Sequence, residues 1–332
     1  MRILFVGDVV GRAGRAALLE RLPGLRADLR LDAVVVNGEN AAGGYGITAG
    51  IANEFFAAGT DVITLGNHAW DQRELIAHID REPRIVRPLN MAPGVPGKGT
   101  AELTTPRGQR VVVVQVLGRL FMRQADDPFR ALEAELRRHV LGGNAQAVLV
   151  DVHGEATSEK TALGHFLDGR VSLVVGTHTH VPTADARVLP GGTAYVADLG
   201  MTGDYDSVIG MEKTASVQRW RTDLPGGKLE PASGEATLCG VYLETDDRTG
   251  RALRVEPVRL GGTQSQYRGQ VSSRPGPSRT AATRSARPVR SSVSTATPDR
   301  VPSPPAGSKR VPGVFWRKRR RGSSRCMPST DS

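Results

Sequence analysis

An α/β fold, a two-layer sheet core flanked by helices, is predicted by three observations. Short β-branched apolar runs alternate with amphipathic stretches over the first 180 residues. From about residue 185 the pattern changes to closely spaced β-rich segments with turn residues between them. Polar residues with metal-ligating chemistry recur where the apolar runs end.

The runs RILFVG, DAVVVN, DVITL, QRVVVVQVL, QAVLVDV and RVSLVVG are short, continuous and β-branched, as strands buried on both faces require. Between them, 14–29, 47–59, 71–80 and 127–141 place apolar residues at three- and four-residue intervals, which predicts helices. After residue 185, TAYVADLG, ASVQRW, ATLCGVYLETD and ALRVEPVRL read as an antiparallel β section, with Asp247–Gly250 as a hairpin turn. No repeat of 20 to 50 residues is present.

Of 332 residues, only 39% are apolar, too few for the whole chain to be core. Residues 265–332 hold 15 Lys and Arg against two Asp and Glu, a net of +13. Subtracted from the +10 of the whole chain, this leaves residues 1–264 near −3. The segment is rich in Ser, Pro and Arg, lacks apolar periodicity and ends in WRKRRRG, a composition that cannot offset chain entropy by burial. Two regions follow: a folded domain over 1–264 and a disordered basic tail over 265–332. The run Arg317–Arg321 suits RNA, DNA or anionic lipid through counterion release, or is a solvated extension.

Two cysteines, Cys239 and Cys326, make neither a disulfide framework nor a thiolate cluster. Cys239, inside LCGVYLE, is expected as a buried core thiol. The apolar N-terminus is about eight residues long and lacks a small-residue cleavage pattern. No apolar run approaches the roughly 20 residues that span a bilayer. A soluble cytoplasmic protein is expected.

GTHTH at 176–180 sets His178 and His180 two residues apart after VSLVV, so that two imidazoles meet one strand end. Asp8 follows ILFVG, Glu39 and Asn40 follow VVVNG, Asn67 and His68 follow VITLG, and His153 follows VLVDV. Ligands of α/β sheets collect beyond the carboxyl ends of strands, and every one of these residues falls there. Taken singly each has a plain reading: Asp8 a helix cap, Asn67 a turn residue, Glu39 a solvated carboxylate, His153 a core imidazole. Together they point to metal-dependent hydrolysis. His78, His139 and His165 lie in helical stretches and read as structural. The GxGxxA string in GYGITAG is displaced from its strand by GEN, which misplaces a dinucleotide turn. GxxxxGK[ST] and GxSxG are absent.

GDVVG at 7–11, NGEN at 37–40, LGNHAWD at 65–71, DVHGEATSEK at 151–160 and GTHTHVPTAD at 176–185 resemble the five ordered blocks of calcineurin-like metallophosphoesterases. Within that superfamily the chain is similar to the bacterial YmdB-type subfamily over about residues 1–262, and the tail lies outside the resemblance. The resemblance implies the calcineurin-like metallophosphoesterase fold, with Asp8, Glu39, Asn40 and His180 on one metal ion. Glu39, Asn67, His153 and His178 would hold a second, with Glu39 bridging. It implies His68 as proton donor to the leaving oxygen. The superfamily's histidine two residues after the first aspartate is Val10 here, as in the subfamily.

The implied reaction is phosphodiester hydrolysis, most directly of 2′,3′-cyclic nucleotides, by a hydroxide between two ions. Two cations neutralise the diester and activate water, and ions about 3.5 to 4 Å apart need a shared carboxylate. Carboxylate, amide and imidazole donors without thiolate favour iron or manganese, with zinc possible. Asp71 is placed to orient His68. The loops 43–48, 154–160 and 200–207 are candidates for substrate choice. The alternatives are a phosphomonoesterase, an RNA-binding or regulatory metalloprotein using the basic tail, and a metal-bearing scaffold without turnover. The family also implies a homo-oligomer.

Overall fold

In the computed structural model, residues 1–222 and 228–264 are described. The expectations about 265–332, including Arg317–Arg321 and Cys326, lie outside the described residues. The first half runs β1 (Arg2–Val6), β2 (Asp8–Val9), α1 (Gly11–Asp28), β3 (Ala33–Asn37), α2 (Ala49–Ala57), β4 (Val62–Thr64), α3 (Arg73–His78) and β5 (Ile85–Val86). The second continues β6 (Thr100–Thr104), β7 (Arg110–Leu117), α4 (Pro128–Leu136), β8 (Ala147–His153), α5 (Thr157–Phe166), β9 (Leu173–Thr177), β10 (Arg187–Val188) and β11 (Ala194–Val196). The chain then returns through β12 (Met201–Asp204), α6 (Lys213–Thr222), β13 (Ala236–Thr245) and β14 (Ala252–Leu260).

The strands form the two expected sheets. The eight-stranded one has the order β2-β12-β13-β1-β3-β4-β5, with β14 beside β13. Its β1, β3, β4 and β5 are parallel, and β13 lies antiparallel to β1. The six-stranded sheet has the order β10-β11-β9-β8-β7-β6, parallel from β7 through β8 and β9 to β11.

Side chains alternate across each strand, and both faces are covered. Ile3, Phe5, Val35 and Val62 meet Val113, Leu149 and Val175 in the core between the sheets. Leu4, Val6, Val34 and Val36 point the other way, onto Leu18 and Leu22 of α1 and Phe55 of α2. Val112, Val114, Val148 and Val150 face Leu132 of α4 and Leu163 of α5. Burial on both faces is why these strands read as unbroken apolar runs rather than alternating ones. Each fully buried Leu, Val or Phe contributes about 1.5 to 3 kcal/mol.

Four local expectations are corrected. ASVQRW belongs to α6, not to a strand: the Glu212 carboxylate accepts from the Thr214 and Ala215 amides and starts a helix there. TAYVADLG supplies β11, which pairs parallel with β9 and extends the second sheet, while β10–β11 and β13–β14 are antiparallel. Residues 200–207 are half strand, since Met201–Asp204 is the buried β12 wedged between β2 and β13. The helix expected over 127–141 ends at Leu136, where Asn144 bonds the Arg138 carbonyl and the Val140 amide and turns the chain.

The hairpin turn is as read: Asp246 accepts from the Arg248 and Thr249 amides, and Gly250 takes a left-handed φ of 71°. Cys239 is buried in β13. No helix among the described residues is long and apolar enough to cross a membrane.

Candidate metal centre

The parallel strands deliver their carboxyl ends to one place. Asp8 follows β1, Glu39 and Asn40 follow β3, Asn67 and His68 follow β4, His153 ends β8, and His178 and His180 follow β9. Asp8 is no helix cap: Val10 occupies the N-cap of α1, with no side-chain cap bond. Val10 is buried and would meet a side chain added at Gly203 or Gly210 in the wall behind the site.

Two sets of contacts form. In one, His180 Nε2 lies 3.1 Å from Asn40 Nδ2 and 3.6 Å from Asp8 Oδ1, while its Nδ1 donates to the Ile209 carbonyl at 2.7 Å. In the other, His153 Nε2 lies 2.9 Å from Glu39 Oε2, 3.0 Å from Asn67 Oδ1 and 3.1 Å from His178 Nδ1. The His178 amide donates to Asp8 Oδ2 at 3.2 Å and ties the sets together. Ligating atoms of Glu39, His153 and His178 all lie within 4.8 Å of one another.

The tautomer of His153 follows from what stands behind it. Thr177 Oγ1 gives its hydrogen to Asp151 Oδ1 at 2.7 Å, so His153 Nδ1 must donate to Thr177 Oγ1 at 2.8 Å. The lone pair is then on Nε2, facing the Glu39 carboxylate, the Asn67 carbonyl oxygen and a second imidazole. Asp151 is fixed in turn by Thr64 and Gln115. Sequence reading passes over this buried network; its signal is a carboxylate and an amide inside the apolar runs VLVDV and VVVVQVL.

Electrostatics point the same way. Burial pushes Glu39 up to about 8 with Asp8 adding to it, and pushes His153 and His178 down to about 4 and about 3. For His180 burial opposes the charge, but the neighbouring Asp8 carboxylate outweighs it and raises the group to about 9. Asp8 is held well below the usual carboxylate range, since His180 and His153 overcome its burial. Asp8 Oδ1 and both Glu39 carboxylate oxygens are buried without a hydrogen-bond partner. Unsatisfied buried carboxylate oxygens are costly. Beside imidazole lone pairs, they fit cations.

His68 stands at the rim. Its Nδ1 bonds Asp71 Oδ2 at 2.8 Å, and the Tyr45 ring meets it edge-on with centroids 5.2 Å apart. Tyr45 belongs to the 43–48 loop, where Gly43, Gly44 and Gly46 adopt positive φ. Of the 154–160 stretch, Glu155 reaches His178 Nε2 at 3.2 Å, whereas Thr157 onward is α5 and Lys160 turns inward. His78 ends α3, His165 lies on α5, and His139 sits beyond α4 against Glu135.

The chain is similar to several known proteins. A 2′,3′-cyclic-nucleotide 2′-phosphodiesterase of Bacillus subtilis is 45% identical over 258 residues, 78% of this chain and 96% of that protein. The crystal structure of a hypothetical protein from Thermus thermophilus matches with a TM-score of 0.74 at 45% identity, covering 79% of this chain and all of that one. That of a novel phosphatase from Mycoplasma pneumoniae matches with a TM-score of 0.73 at 32% identity, over 79% of this chain and 93% of that one. The profile of the YmdB-like protein family matches residues 4–258, and the chain belongs to that family.

Proposed function

We propose that this chain is a metal-dependent phosphodiesterase of small phosphodiesters, 2′,3′-cyclic nucleotides foremost. The observation that carries the reading is the meeting of Glu39, His153 and His178 around unsatisfied lone pairs, in a chain 45% identical to a phosphodiesterase of that substrate class. Asp8, Glu39, Asn40 and His180 would hold one ion, and Glu39, Asn67, His153 and His178 the other. Bound there, two such ions, iron or manganese before zinc for this oxygen and nitrogen donor set, supply positive charge and water activation.

The protein's own groups do the rest. Asp71 accepts from His68 Nδ1, which fixes the ring and leaves Nε2 to give a proton to the departing alkoxide. Thr177 and Asp151 hold His153 in the tautomer with its lone pair toward Glu39. The 43–48 loop, with Tyr45 beside His68, lines the approach to the proton donor and is the first candidate for base or sugar contact.

The test is turnover of 2′,3′-cyclic nucleotides, a linear diester and a monoester by the Mn²⁺-loaded chain. Cyclic diester cleavage is expected, and activity confined to the monoester would favour a phosphomonoesterase, a reading that the phosphatase from Mycoplasma pneumoniae keeps in view. RNA contact through 265–332 rests on its net charge of +13 and is tested by salt-dependent RNA retention with and without that segment.

A further inference from the structure

We propose that Lys160 and Asp198 are positioning residues that lock the backbone at His178 so that its ring is aimed at His153 and Glu39. The inference rests on the reading of His178 as a metal ligand. His178 has a φ of 98° and His180 a φ of 64°, both in the left-handed region that side chains other than glycine seldom adopt. Such a conformation persists only where the surroundings fix it.

The two peptide planes that flank a residue define its φ and ψ. At His178 three groups of those planes are held. The Thr177 carbonyl accepts from Lys160 Nζ at 2.8 Å, the His178 amide donates to Asp8 Oδ2 at 3.2 Å, and the Thr179 amide donates to Asp198 Oδ2 at 3.2 Å. Lys160 and Asp198 are themselves joined at 2.8 Å, and each is only 1% exposed. Asp198 Oδ1 accepts from the Gly200 amide at 2.9 Å, so the far end of the clamp is anchored as well.

Gly176 lets the Ala197 carbonyl approach so closely that an added methyl would overlap it, and the same methyl would also lie 2.8 Å from Lys160 Cδ. A buried ion pair is a poor source of net stability compared with apolar side chains of similar size. Here it offers what apolar residues cannot: a donor for one peptide plane and an acceptor for the next. Lys160 ends the DVHGEATSEK block and arrives from the first turns of α5, and Asp198 comes from the segment after β11. The clamp thus ties the His178 turn to two separate elements.

The test is Mn²⁺ binding to the full chain and to Lys160→Met, counted from the free-ion electron paramagnetic resonance signal, with folding checked by circular dichroism. The clamp predicts that the first equivalent binds as in the parent while the second weakens roughly 10- to 100-fold, the range for lost supporting bonds to a ligand. A folded Lys160→Met that binds both equivalents like the parent overturns it. If that variant does not fold, Lys160→Met with Asp198→Asn removes both charges together, and the same selective weakening is expected. A parent chain that takes up no second equivalent overturns the ligand reading and the clamp with it.

Discussion

His153 Nε2 faces Glu39 Oε2 across 2.9 Å, and neither side chain is reached by solvent. Neither Glu39 oxygen has a hydrogen-bond partner, and burial keeps a proton on the carboxyl by raising Glu39 to about 8 while lowering His153 to about 4. His180 also keeps a proton through its pairing with Asp8, at about 9. Both groups must surrender it when a cation binds, while His153 and His178 are already neutral. On the order of two protons per chain are therefore released at pH 7. The heat of Mn²⁺ uptake should vary with the buffer's ionisation enthalpy in the sense of protein giving protons to buffer, and heats independent of buffer would contradict this.

The same shifts set how the metal-stripped fold responds to pH. Glu39 is raised from 4.5 to about 8, so ionising it penalises the fold progressively as pH climbs through that window. His180 is raised from 6.5 to about 9, so its contribution is complete below 6.5 and lost as pH rises through 9. His153 and His178, lowered to about 4 and about 3, work the other way only up to their unfolded value of 6.5, so thermal melts of stripped protein should show stability falling from pH 7 to pH 9, with a shallower fall once Mn²⁺ is present. A melt that rises over that range would speak against the protonated pair.

His68→Ala should lower diester turnover by roughly 100- to 10,000-fold, the usual weight of a general acid, with metal content unchanged. Asp71→Asn should cost less, because the ring keeps its place beside Tyr45 and exchanges a charged acceptor at Nδ1 for a neutral amide oxygen. Full activity in His68→Ala would remove it from the reaction.

Gly66→Ala tests how tightly the centre is walled. A methyl there would overlap the Glu39 carboxylate and crowd His153 Nε2, with no open space to take up the shift. The variant should fold and lose most of its bound metal, measured by elemental analysis. Parent-like metal content would mean that Glu39 moves freely.

Cys239 should be inert. Burial pushes its thiol up to about 11, and Tyr205 Oη lies 3.2 Å from Sγ. In a Cys326→Ser background, Ellman's reagent at pH 8 should react only after denaturation. Rapid reaction of the native chain would show that β13 opens.

The sheets and the polar cluster at their edge are legible because both leave periodic marks. Strands covered on two faces become unbroken apolar runs, and the residue after each run is placed at one sheet edge by topology. What the runs do not encode is the backbone at GTHTH: the spacing of His178 and His180 is plain, their left-handed φ is not. Lys160 reads as part of a polar loop, since only the fold reveals that α5 turns it under β9. ASVQRW misleads for a related reason, because its start is set by Glu212, a cap outside the segment itself.

The most direct measurement is the metal content of the full chain against Glu39→Gln, purified side by side without added metal. Glu39 contacts His153, has both oxygens unsatisfied and is the ligand assigned to both ions. About two ions per chain in the parent, as a bridged pair requires, and a clear loss in the variant is the predicted result. Equal metal content in the two proteins, or a parent that retains none and takes up none on reconstitution, would contradict it.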